Sequence, residues 1–438
     1  CDWTNYEASS AAIVTAIERG ERADVPFAFF SHALSPQAQL DCARLFTVAE
    51  YPSGMAPLVT KLAGRHERIR LAYVSSDFYE HATAYLMAEL FETHDRDRFE
   101  VTGISYGPDD ASPMRARLTT AFDHFVDVNG MTDRGVGELM RDRGIDIAVD
   151  LKGYTAGNRG GIFAYRGAPL QVSYLGFPAT MGAPFIDYLI ADRHIVPPEL
   201  ETAYSEKIVR LPDSYQANDR KRRIADGTPS RTDAGLPAQG FVFCSFNNSY
   251  KIRPAAFDVW MKLLREVEGS VLWLLDDNAA AVARLKAAAE GRGVSSSRLV
   301  FAPRVPLDQH LARHRLADLF LDTFPVNAHT TASDALWAGL PLVTLQGETF
   351  TSRVAGSVLG AVGLSELVTR NWAEYEALAL KLARDPAALG RLKAHLESVR
   401  LTAPLFDTDR FRRNIESAYI TMYERAQKGE LPATFDVG

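Results

Sequence analysis

The sequence predicts an α/β protein with two parallel-sheet domains facing across a cleft, preceded by helices and closed by one long C-terminal helix. Three observations predict it. The chain has 438 residues, too many for one ordinary core and enough for two. Short apolar runs alternate with helix-like stretches in two separate series, the pattern of sheets whose strands run parallel. Between the series lies "NDRKRRIADGTPSRTDAGLPAQ", residues 218–239, rich in charge, Gly and Pro, which reads as a linker.

Residues 1–66 read as helical, because "NYEASSAAIVTAIERGE" and "SPQAQLDCARLFTVAEYPS" space their apolar positions by three and four. A first α/β domain follows over 67–217. There "IRLAYV" reads as a buried strand, "HATAYLMAELFETHD" as a helix and "FEVTGISY" as the next strand. "MTDRGVGELMRDRGIDIAVDLKGY" gives helix then strand, "PLQVSYLG" and "IDYLIADRHIVP" give strands, and "EKIVRLPDSY" closes the domain. A second domain over 240–402 repeats the scheme. Its strands are "FVFCSFN", "SVLWLLDD", "RLVFAP", "LADLFLDT" and "PLVTLQG", and its helices "RPAAFDVWMKLLREVEG", "NAAAVARLKAAAEGRG" and "TTASDALWAGL". Residues 403–438 carry "DTDRFRRNIESAYITMYERAQKG", one long amphipathic helix free to pack on either domain. No period strong enough for a solenoid is present.

Composition narrows the function classes. Apolar residues make up 47% and charged residues 24%, as in ordinary soluble globular chains. A formal charge of -7 argues against a mainly nucleic-acid-binding surface, and "DRKRR" reads as a solvated surface instead. Cys1, Cys42 and Cys244 are too few and too scattered for a disulfide framework or a CxxC metal pair. No run of eighteen apolar residues and no signal peptide is visible, so a cytoplasmic place without membrane contact is expected.

In an open parallel sheet, ligands gather outside the carboxyl ends of the strands, so the residues just after each strand are the candidates. After "LAYV" comes "SSDFYEH", ending in His81. A near-neutral imidazole there suits proton transfer or orientation of a hydroxyl; the plain alternative is a helix cap. Asp109 and Asp110 follow "VTGISY". Lys251 follows "FVFCSF" in "NNSYK", where a cation would neutralise charge growing on a leaving diphosphate, and where an ordinary exposed Lys fits as well. "NAHTTASD" is the strongest local signal. His329, Thr330 and Thr331 open a helix whose amides and dipole suit phosphate, with Asp334 one turn in for a ribose hydroxyl. A capped helix without any ligand would use the same letters. "GYTAG" and "GFPATMG" suit close backbone approach to a sugar, or plain turns. Walker, GxGxxG, GxSxG and HExxH patterns are absent, and a nucleotide-sugar transferase is the class that fits what remains.

Taken together, "YVSSDF....H", "GYT.G", "LG.P.T.G", "FN..YKI", "LADLFLDT", "HTT..D.LWAG.P.VT..GE...SR" and the opening "CDWTNY" resemble the catalytic region of the protein O-GlcNAc transferases and the related SPINDLY group, over essentially the whole chain. The resemblance implies the GT-B fold with two Rossmann-like domains. It implies UDP-N-acetylglucosamine as donor, UDP as product, protein Ser or Thr hydroxyls as acceptors, and neither cofactor nor metal. It further implies tetratricopeptide repeats ahead of residue 1 that help present the acceptor. His81 corresponds to an active-site His discussed both as base and as sugar-positioning group, and Asp110 to an alternative base. Lys251 corresponds to the essential Lys at the diphosphate, and Asn248 to a phosphate-side Gln of animal members. Gly176 and Pro178 fall in the loop lining the sugar pocket. Val305 and His310 correspond to a backbone contact and a stacking ring at the uracil, with Arg313 on the same side. His329, Thr330 and Thr331 correspond to the phosphate-binding helix start, and Asp334 to the ribose ligand. Leu307 stands where animal members carry a ribose-contacting Lys, and 218–239 where they insert a whole domain.

Other readings stay open on sequence alone. SPINDLY-type relatives imply GDP-fucose as an alternative donor, a repeat-linked scaffold would need no turnover, and an epimerase would share the two-domain form. The group that takes the acceptor's proton is equally open between His81, Asp110 and a phosphate oxygen.

Overall fold

The computed structural model describes residues 1–32, 34–51, 55–62 and 64–438. The chain divides into two units, Ala11–Arg220 with Pro404–Gly438, and Cys1–Ser10 with Lys221–Ala403. Each is built on its own parallel sheet.

The first sheet takes β1 (Ile69–Ser75), β2 (Phe99–Ser105), β3 (His124–Asp127), β4 (Ile147–Asp150), β5 (Leu170–Ser173), β6 (Tyr188–Asp192) and β7 (Lys207–Leu211). The second takes β8 (Val242–Ser245), β9 (Val271–Leu275), β10 (Leu299–Ala302), β11 (Leu319–Leu321), β12 (Leu342–Leu345) and β13 (Val368–Thr369). A last short strand, β14 (Phe435–Asp436), returns to the first sheet beside β7. The orders are β14-β7-β6-β5-β4-β1-β2-β3 and β10-β9-β8-β11-β12-β13. Strand order therefore reverses between β1 and β4 in one sheet and between β8 and β11 in the other, the places where open α/β sheets hold ligands. β4, β5, β6, β8 and β12 are buried along their whole length, which is why they read as unbroken apolar runs.

Helix starts follow cap chemistry. Ser112, Thr132 and Asn278 each accept a first-turn amide on the side-chain oxygen, and Pro254 sits at the first position of its helix. The long helix Thr408–Gln427 belongs to the first unit. Its Tyr419 hydroxyl lies 3.2 Å from that of Tyr73 on β1, and its Glu416 accepts from His94 Nδ1 and the Asp95 amide, both at 2.9 Å.

Two sequence expectations need correction. The N-terminal helices are Tyr6–Glu18, Pro26–Phe29 and Pro36–Glu50, and the described residues of 55–66 hold none, because Leu58 and Val59 instead bond the carbonyls of Tyr165 and Arg166. The "PS" of the second expected helix falls outside the described residues. The start of the linker is not a solvated surface. Arg220 bonds Glu89 and Asp409 at 2.8 Å each, and Arg222 is buried in an ion pair with Asp334. No helix among the described residues is long and apolar enough to cross a membrane.

Candidate active site

In the first unit, β1 ends at a compact charged cluster. His81 is the N-cap of the helix Ala82–Thr93, its Nδ1 accepting the Thr83 amide at 3.2 Å. That bond occupies the Nδ1 lone pair and leaves the hydrogen of the neutral ring on Nε2. Burial lowers the imidazole pKa, Asp77 works against that, and Lys152 adds to it. Asp77, whose Oδ2 lies 3.6 Å from His81 Nδ1, is held by the ammonium of Lys152 at 2.8 and 3.0 Å. Both members of that pair are buried. Beneath them Asp150, at the end of β4, accepts the amides of Lys152 and Gly153 at 2.8 and 3.0 Å, and burial raises its pKa to about 6.

Asp110 is exposed. Its two oxygens accept the Glu80 amide at 3.2 Å and the Ser112 amide at 3.0 Å, which ties its loop to the residue before His81. Hydrogen bonding from Ser112 lowers its pKa. Gly176 passes so close to β4's exit that a Cβ there would lie 1.9 Å from the Leu151 carbonyl oxygen, so the residue must be Gly. Pro178 is buried two positions on, after Phe177, which packs 5.4 Å from Tyr154. The structure thus gathers His81, Asp110, Gly176 and Pro178 round the exits of β1, β2, β4 and β5.

In the second unit, Lys251 ends the turn Ser249–Lys251 after β8, and its ammonium donates to the Asn327 carbonyl at 2.7 Å. The residue is half-buried by surface, yet its surroundings are dense enough to lower its pKa, with Asp322 opposing. Asp322, fully buried at the end of β11, accepts Thr344 Oγ1 and the amides of Thr323 and Ala328 at 2.6 to 2.7 Å. It anchors the loop that delivers Asn327 and His329. Burial raises its carboxyl pKa.

The helix Thr330–Trp337 starts at His329 without a side-chain cap. Its first amides lack intrahelical acceptors, as at any helix start. His329 Nε2 lies 3.3 Å from the Thr351 carbonyl, which places its hydrogen there, and burial followed by the charge of Lys251 lowers its pKa to about 3. Thr331 Oγ1 donates to Asn247 at 2.6 Å, joining the helix start to the loop after β8. Asp334 is buried, raised to about 6 by burial, and paired with Arg222.

A second group lies at the exit of β10. Asn248 Oδ1 accepts from Arg304 at 3.0 Å, next to half-buried Val305. Arg313 donates to His310 Nδ1 and to the Pro303 carbonyl, and stacks 4.6 Å over Phe246. Burial, with His314 and Arg313 nearby, drives the His310 pKa well down, so its ring is neutral. Sequence reasoning missed Asp77, Asp150, Lys152, Arg222, Asn247 and Asp322; all but Arg222 sit at or just past strand ends, which was the available signal. Among the described residues no group of three or more His, Cys, Asp or Glu is arranged to hold a metal.

Two parallel sheets with candidate ligand groups at their switch points define a GT-B glycosyltransferase fold. The chain belongs to glycosyl transferase family 41, whose sequence model matches residues 55–226 and 224–415. It is 36% identical over 458 aligned residues to the Arabidopsis thaliana protein named "Probable UDP-N-acetylglucosamine--peptide N-acetylglucosaminyltransferase SEC", covering 100% of this chain and 47% of that protein. It is 28% identical to the Caenorhabditis elegans UDP-N-acetylglucosamine–peptide N-acetylglucosaminyltransferase, covering 98% of this chain and 48% of that one. The chain thus spans about half the length of the curated relatives it matches. Among solved structures, a mutant of the Thermobaculum terrenum O-GlcNAc transferase superposes with a TM-score of 0.84 at 32% identity, over 97% of this chain and 82% of that one. Anabaena HepE, solved with UDP and glucose, shares the fold at a TM-score of 0.55 and 12% identity, over 81% of this chain and 100% of that one.

Proposed function

We propose that the protein is an inverting, metal-independent glycosyltransferase that moves N-acetylglucosamine from UDP-N-acetylglucosamine to Ser and Thr hydroxyls of proteins. The observation that carries the reading is the ammonium of Lys251, held by the Asn327 carbonyl two residues before a helix start whose amides lack intrahelical acceptors. Family membership and the names of the relatives support the donor and the acceptor class.

On this reading the acceptor oxygen attacks the anomeric carbon as the bond to the diphosphate breaks. Negative charge grows on the departing UDP, and Lys251 with the Thr330 and Thr331 amides stabilises it. Asn248 serves the phosphates, Val305, His310 and Arg313 take the uracil, and Asp334 takes a ribose hydroxyl. Gly176 and Pro178 shape the sugar's pocket. His81, with its hydrogen on Nε2, offers a donor to the sugar or acceptor. To act as a base at Nε2 it must first move that hydrogen to Nδ1, exchanging the Thr83 bond for one toward Asp77. Residues 67–217 would then serve sugar and acceptor, and 240–402 the nucleotide. Upstream helical repeats in a cytoplasmic full-length protein would present the acceptor.

The test is transfer of labelled sugar from UDP-N-acetylglucosamine to a peptide and lysate panel, with GDP-fucose as the competing donor. Transfer from the first donor, lost in Lys251→Met, supports the reading. Transfer from GDP-fucose alone replaces the donor, and no turnover of either points to a scaffold.

A further inference from the structure

Building on the reading that Lys251 meets the donor's diphosphate, we propose that Cys1–Tyr6 is a strap that positions the Lys251 loop, with Trp3 as its principal positioning residue. Lys251 rides on a single three-residue turn, a geometry with poor internal hydrogen bonding. The strap grips this turn on both sides of the lysine. Cys1 Sγ donates to the Ser249 carbonyl at 3.3 Å, and Trp3 Nε1 donates to the Ile252 carbonyl at 3.3 Å. One residue further, the Arg253 guanidinium lies 4.7 Å over the Tyr6 ring.

Trp3 is itself anchored. Its ring centroid is 5.3 Å from that of Phe257, which is fully buried in the helix Pro254–Glu266. Arg292 lies 5.6 Å over the Trp3 ring and 5.4 Å over Phe257, so one cation clamps both. The Arg284–Asp2 pair at 3.0 Å is half exposed at each end and adds little. The helix Pro254–Glu266 starts without a side-chain cap at Arg253 and holds this segment at its end, where the Arg253 carbonyl accepts the Phe257 amide at 3.0 Å; the turn before it needs other holds. On the far side those are the Ser249 amide on Asp277 at 2.8 Å and the Lys251 ammonium on Asn327. A charge that acts on a leaving group must be held to within a fraction of an ångström, and the strap supplies the near half of that hold.

Trp3→Phe keeps an aromatic ring for Phe257 and removes the indole N–H. The full chain is titrated with UDP as wild type, Trp3→Phe, Lys251→Met and the double variant, and amide exchange is followed over 249–253. We expect Trp3→Phe to weaken UDP binding about fivefold, the weight of one hydrogen bond. It should also speed exchange of those amides and add nothing once Lys251 is Met. Equal losses in both lysine backgrounds, unchanged UDP affinity, or unchanged exchange would overturn the strap. If Lys251→Met itself leaves UDP affinity unaltered, the donor reading falls, and the exchange rates alone then decide whether Trp3 holds the 249–253 backbone.

Discussion

Replacing Arg222 with Leu leaves the Asp334 carboxylate buried without its guanidinium. The two side chains are 2% and 6% exposed, so water screens neither. Burial already lifts Asp334 from 3.8 to about 6, with Arg222 pulling the other way. Because the folded pKa lies above the unfolded one, the group adds stability that is complete below pH 3.8 and lost as pH rises through about 6. At pH 7.5 the variant must either bury a lone charge or take up a proton, and breaking a buried pair in this way costs about 3 kcal/mol. At pH 5 the carboxyl is protonated in the variant, and the cost shrinks to that of a lost hydrogen bond, about 1 kcal/mol. Urea unfolding at both pH values measures the difference, followed by the tryptophan fluorescence to which Trp337, whose Nε1 donates to the Arg222 carbonyl, contributes. A loss of equal size at the two pH values, or no loss at all, refutes the reasoning.

Three further outcomes are expected. Turnover should fall as pH rises through about 8, since Lys251 works as a cation and burial sets its pKa there; a rate flat to pH 10 contradicts this. His81→Asn keeps a side-chain oxygen for the Thr83 amide, so stability should stay within about 0.5 kcal/mol while transfer drops roughly a hundredfold. Gly176→Ala drives a methyl into the Leu151 carbonyl and should cost about 2 kcal/mol in urea unfolding, or force the loop to move and raise the donor KM.

Most of the sheet scheme was legible because parallel strands buried on both faces leave unbroken apolar runs such as "IAVD" and "VLWLL". β3, with no buried position, and the two-residue β13 and β14 leave no such trace. Candidate residues such as His81, Lys251 and Thr331 were legible because they lie in the loops that follow strands or at helix starts. Their partners were not. Asp77 with Lys152, and Arg222 with Asp334, are separated by 75 and 112 positions, and only the folded chain brings them together. Arg222 was misread for the same reason, since a basic run looks solvated until its buried acid is known. The role of "CDWTNY" in holding the Lys251 loop was equally silent, resting on contacts 248 and 249 residues apart.

A crystal structure of the protein soaked with UDP tests the central claim most directly. The account predicts phosphate oxygens within hydrogen-bonding reach of Lys251 Nζ and the Thr330 and Thr331 amides, with a ribose hydroxyl on Asp334. UDP bound elsewhere, with the Lys251 ammonium still turned to the Asn327 carbonyl and no phosphate beside it, would contradict it.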